Sequence, residues 1–121
     1  MYKVMIVDDS AFMRSVIRKI ITNAGYHVVA EAENGMEAVH LYNVHSPDVV
    51  TMDLTMPGMG GLEALRVLMT LNPIAKVIVV SAMRQAEIIN EAVKAGARGF
   101  LVKPFQPGAV VRELLTCLKK M

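Results

Sequence analysis

"VVTMDLTMPGMGG", Val49 to Gly61, is an apolar run that stops on an acid, Asp53, and opens at once into a loop of proline and glycines. The approach "DVVTM" (Asp48–Met52) reads as a short strand, and the segment after it as a turn that no strand can cross. A strand with little polar alternation is covered on both faces, which is the condition of a parallel sheet with helices above and below it.

The chain on either side repeats this grammar. "KVMIV" (Lys3–Val7), "HVVAE" (His27–Glu31), "KVIVV" (Lys76–Val80) and "GFLV" (Gly99–Val102) read as further strands. Segments of helical period separate them. "SAFMRSVIRKIITNAG" spaces Phe12, Val16, Ile20 and Ala24 by four, with Ile17 and Ile21 beside them and Gly25 as a stop. Asn34 can cap a second helix that runs to about His45, where Pro47 forbids continuation. A third spans about Leu62 to Leu71, and a fourth runs from near Gln85 to Ala95 before Gly96. A fifth starts at Pro107 and is expected to turn Val111, Leu114, Leu115 and Leu118 inward. Five strands alternating with five helices predict an α/β fold, a doubly wound five-stranded parallel sheet.

Composition narrows the function. The 121 residues suit one domain, taken as 1–121, and 54% hydrophobic content argues against disorder. The 13 basic and 11 acidic residues leave a net charge of +2, too mild to suggest a nucleic-acid partner. No apolar stretch reaches the ~18 residues of a membrane span. The start "MYKVMIVDDS" turns acidic too early for a secretory signal. The single Cys117 cannot form an internal disulfide, and the expectation is a cytoplasmic domain.

The polar residues at strand ends carry the chemistry. Asp8 and Asp9 follow the first strand, Asp53 the third, Ser81 the fourth and Lys103 the fifth. In an open parallel sheet these ends share one rim, where ligands bind. Three carboxylates gathered there repel, and a hard divalent cation with oxygen ligands, such as Mg²⁺, resolves the repulsion. With an ammonium and a hydroxyl beside them, the set suits phosphoryl transfer onto an aspartate nucleophile.

The segments "VDDS", "MDLTMPGMGG", "VVSA" and "FLVKPF" together resemble the receiver domains of two-component response regulators, along essentially the whole chain. "DDSAFMR" and "VTMD" resemble the free-standing chemotaxis type most. The resemblance implies a flavodoxin-like sheet of order 2-1-3-4-5, for which chemotaxis receivers are a standard example. It also implies that Asp53 is the phosphoacceptor for a histidine kinase of chemotaxis type. Asp8, Asp9, Asp53 and the Thr55 backbone carbonyl would hold Mg²⁺ or Mn²⁺. Lys103 would pair with the phosphoryl group, across a Lys103–Pro104 bond that is often cis in the family, and Ser81 would hydrogen-bond a phosphoryl oxygen. Ser81 and Phe100 would form the switch that reshapes the face of the fourth helix, fifth strand and fifth helix for a partner such as a flagellar motor switch component. Such a protein is a monomer or an activation-dependent dimer, and not an enzyme beyond its own phosphorylation and dephosphorylation.

Plainer readings stand beside these. Asp8 and Asp9 can cap a helix next to Ser10, Ser81 can be a turn serine, Lys103 a solvated lysine and Phe100 a core aromatic. The sequence departs from the family at Gly60, where receivers commonly carry an acid; this should loosen the loop and leave the chemistry intact. Thr55 and Met83 occupy variable positions that tune phosphoryl lifetime in the family. Two other functions fit less of the pattern. One is a regulatory domain excised from a longer regulator, DNA-binding or a chemotaxis methylesterase. The other is an aspartyl-phosphate hydrolase, which would usually carry Asp-x-Asp after the first strand.

Overall fold

The computed structural model describes residues 1–56, 58–82 and 86–118. Strands β1 (Lys3–Val7), β2 (His27–Ala32), β3 (Val49–Asp53), β4 (Val77–Ala82) and β5 (Gly99–Lys103) alternate with helices. These are α1 (Ala11–Asn23), α2 (Gly35–His45), α3 (Gly61–Leu71), α4 (Ala86–Lys94) and α5 (Pro107–Leu118). The strands pair in parallel in the order β2-β1-β3-β4-β5, the expected doubly wound sheet. Pro57, Met83 and the expected start of the fourth helix at Gln85 lie outside the described residues. Among the described residues no helix is long and apolar enough to cross a membrane.

The helix starts follow their local chemistry. The Ser10 hydroxyl accepts the Met13 amide at 3.1 Å and opens α1. Asn34 accepts the Glu37 amide at 2.8 Å, and the Glu37 carboxylate accepts the Glu33 amide, so both ends of this first turn of α2 are tied. Gly25, with φ of 94°, carries the chain out of α1 through a backbone region that disfavours other residues.

Three strands run past their apolar stretches. Asp53 pairs with Val80 and ends β3, Ser81 pairs with Val102 within β4, and Lys103 ends β5, so none of these follows its strand as expected. The ladder is a backbone structure and continues regardless of side-chain polarity.

Helices α1 and α5 cover one face of the sheet, and α2, α3 and α4 the other. The fully buried stripe of α1 carries Ile17 and Ile21. Phe12 is 75% exposed, while Val16 and Ile20 are only partly buried, so among the apolar residues of this amphipathic helix Ile17 and Ile21 form the centre of the buried stripe. On α5, Val110, Leu114, Cys117 and Leu118 are buried while Leu115 points to solvent. Both helices are apolar around much of their girth. Which stripe turns inward is decided by the two helices packing together on one face, not by spacing alone.

Strand alternation sorts the rim. Val4, Ile6, Val49, Ile78, Val80 and Leu101 face α1 and α5; Met5, Val7, Val50, Met52, Val77 and Val79 face the other helices. The same alternation sets Asp8, Asp53 and Lys103 on the α1–α5 side. It sets Ser81 and Phe100 on the opposite side.

Candidate functional site

Asp8 leaves β1 with its amide bonded to the Ala32 carbonyl at 3.0 Å, so β2 holds it in place. One oxygen of its buried carboxylate accepts the Ser10 amide at 2.9 Å; the other lies 3.5 Å from Lys103 Nζ. Asp8 therefore braces the residue that caps α1, while Ser10 itself is the cap. Asp53 is comparably buried at the end of the central strand, and its Oδ2 stands 3.7 Å from the same ammonium. Its Oδ1 accepts the Thr55 amide and the Thr55 hydroxyl, each at 3.0 Å. Asp9 is exposed, yet a carboxylate oxygen of each of Asp8, Asp9 and Asp53 fits within 4.8 Å of the others.

Burial pushes the Asp53 carboxyl above its ordinary value. The Thr55 amide opposes that rise, the neighbouring Asp8 charge adds to it, and Lys103 and the Thr55 hydroxyl offset part. Three converging carboxylates form a hard-oxygen donor set that fits a divalent cation of the Mg²⁺ kind, whose charge would favour the ionised Asp53 carboxyl that burial disfavours.

Lys103 is half-buried and tied to two acids, so it is no solvated lysine, and its bond to Pro104 is cis. Phe100 is 48% exposed, which removes the core-aromatic reading. Ser81 is fully buried on β4, paired with Val102 one residue before Lys103. The structure thus joins Asp8, Asp9, Asp53, Thr55 and Lys103 in one cluster. Ser81 lies at the same rim on the other side of the sheet, and Phe100 lies on that side three residues back along β5.

Three supporting residues are not singled out by the sequence. Arg14 donates to the Asp8 carbonyl at 2.6 Å. It precedes the buried Ile17 by three residues and Ile21 by seven, on one helix face, so its signal is legible only once that stripe is placed. Gly61 and Gly35 are required by close approach. A Cβ on Gly61 would collide with the Asp53 carbonyl oxygen and stand 2.7 Å from the Leu54 Cα. One on Gly35 would strike Met59, whose carbonyl accepts the Gly35 amide at 3.1 Å. Gly60 is the N-cap of α3 without a side-chain cap bond, the place where the missing acid would sit.

Comparison with known proteins agrees with this geometry. Residues 4–115 match the response regulator receiver domain. The chain is 55% identical over 112 residues to the chemotaxis protein CheY of Thermotoga maritima, covering 93% of each. It is 52% identical to CheY of Listeria monocytogenes, covering 94% of this chain and 96% of that one. A chain of the CheX–CheY–BeF3–Mg²⁺ complex from Borrelia burgdorferi superposes with a TM-score of 0.94 at 34% identity, covering 98% of this chain and 90% of that one. The chain belongs to the response regulator receiver family and is a CheY-like signalling domain of the two-component, chemotaxis type.

Proposed function

We propose that Asp53 accepts a phosphoryl group from the phosphohistidine of a histidine kinase. A carboxylate oxygen of Asp53 forms the new bond to phosphorus as the bond to the histidine nitrogen breaks, and the imidazole leaves. The observation that carries this reading is one ammonium, Lys103, within 3.5 Å of Asp8 and 3.7 Å of Asp53 among three converging carboxylates. Asp8, Asp9, Asp53 and the Thr55 carbonyl would hold Mg²⁺ or Mn²⁺, which supplies charge neutralisation at the phosphoryl oxygens. Lys103 supplies a further positive charge there, and the Thr55 amide orients the acceptor. Family membership favours this reading over an aspartyl-phosphate hydrolase.

Ser81 draws toward the new phosphoryl oxygens, and Phe100 exchanges its exposed position for a buried one. The α4–β5–α5 face then changes shape, and a downstream target reads it. The setting is a single receiver domain over 1–121 in the cytoplasm, a reading supported by the match to CheY relatives along nearly their whole length.

Incubation with acetyl phosphate and Mg²⁺ should add one phosphoryl mass to the intact protein, and Asp53→Asn should not be labelled. Wild-type protein that takes up no phosphoryl group under these conditions, with Mg²⁺ bound, would overturn the assignment.

A further inference from the structure

We propose that Arg14 positions the cation-binding carboxylates, an inference that rests on reading Asp8, Asp9 and Asp53 as a divalent-cation site. The Asp8 carbonyl belongs to the peptide joining Asp8 to Asp9. That peptide is planar, so fixing its oxygen constrains the directions in which both side chains leave the backbone. Arg14 donates to that oxygen at 2.6 Å through one terminal nitrogen, while its Nε lies 3.4 Å from a Glu31 carboxylate oxygen on β2. The Asp8 amide is already bonded to Ala32 on the same strand. Asp8 is thus held by β2 on both sides, directly through its amide and through Arg14 and Glu31 at its carbonyl.

The guanidinium suits this task because its planar fork serves two acceptors at once, which an ammonium at the same place does less well. The Arg14 side chain is only 16% exposed, against 45% for Arg18, which pairs with the same Glu31. Arg18 is therefore a built-in control. It shares the ion pair, and among the described residues it makes no hydrogen bond to Asp8.

Charge and position predict opposite signs. A cation that merely neighbours a metal site weakens metal binding, so its removal should tighten it. A group that aims the ligands should weaken binding when lost, typically by about 10- to 100-fold for residues behind metal ligands.

The test is calorimetric titration of Mg²⁺ into the full chain, with thermal melts in Mg²⁺-free buffer. Arg14→Ala should bind Mg²⁺ about tenfold more weakly. Arg14→Lys should fall between it and wild type, Glu31→Gln should weaken binding in the same direction, and Arg18→Ala should not weaken it. Unchanged or tighter binding by Arg14→Ala, or equal weakening by Arg18→Ala, would overturn the inference. Should Arg14→Ala fail to melt cooperatively, unchanged affinity in both Arg14→Lys and Glu31→Gln would overturn it. Wild-type protein that binds no Mg²⁺ would instead overturn the reading of the carboxylates as a cation site.

Discussion

The two faces of the sheet are packed with different materials. Against α1 and α5 the core is chiefly β-branched: Val4, Ile6, Ile17, Ile21, Val49, Ile78 and Val80. Against α2, α3 and α4 the strand valines Val7, Val50, Val77 and Val79 are interleaved with Met5, Met52 and Met56, with Met59 and Met69 at the edge and small alanines between. Branched side chains have few rotamers, whereas methionine adapts to its surroundings. The stiff face carries Asp8, Asp53 and Lys103, whose spacing must persist. The adaptable face carries Ser81 and Phe100, the residues that would move under the proposed switch.

The largest test of this contrast is a pair of truncations. Ile21→Ala should cost about 2–5 kcal/mol in denaturant unfolding, toward the upper end because stiff neighbours leave the cavity open. Met52→Ala should fall toward the lower end of that range, and equal losses would erase the distinction. Gly61→Ala should cost about 1–3 kcal/mol, since its methyl group meets the Asp53 backbone. It should also slow labelling by acetyl phosphate.

On the stiff face, the buried Thr51 hydroxyl has no hydrogen-bond partner among the described residues. Thr51→Val should therefore raise stability by about 1 kcal/mol, read as a higher denaturant midpoint at unchanged slope.

Asp53 sets a pH dependence whose sign follows from its surroundings. Because burial holds its folded carboxyl above the ordinary value, the folded state binds this proton more tightly than the unfolded chain. That stabilising share is complete below the ordinary carboxylate range and is lost as pH rises through the raised folded value. In Mg²⁺-free buffer at neutral pH, Asp53→Asn should melt higher than wild type, and the gain should vanish in acid. The smallest effect belongs to Gly60→Asp, which should add a few tenths of a kcal/mol by capping α3.

Much of this architecture is legible in the sequence because strands and their polar ends are local signals. "KVMIV" followed by Asp8 and Asp9, or "FLVKPF" with Lys103, needs no distant information to place. The strand order comes from resemblance, since apolar runs do not say which neighbour they pair with. Spacing does not rank the apolar residues of α1, since Phe12, Val16 and Ile20 stand beside Ile17 and Ile21, and packing against α5 decides which are fully buried. Arg14 is hidden by the same ambiguity. Gly61 is opaque for another reason: its role is the absence of a side chain, visible only when the Asp53 backbone lies beside it.

The central place of β3 has a consequence for the lifetime of a signal. All five of its residues are buried, and strands flank it on both sides. Backbone amides in such a strand exchange with solvent deuterium only when the whole domain opens, whereas the less buried β2 can exchange through smaller openings. Under the proposed function, a phosphoryl group on Asp53 would be insulated from local breathing, and chemistry at the rim would time its decay.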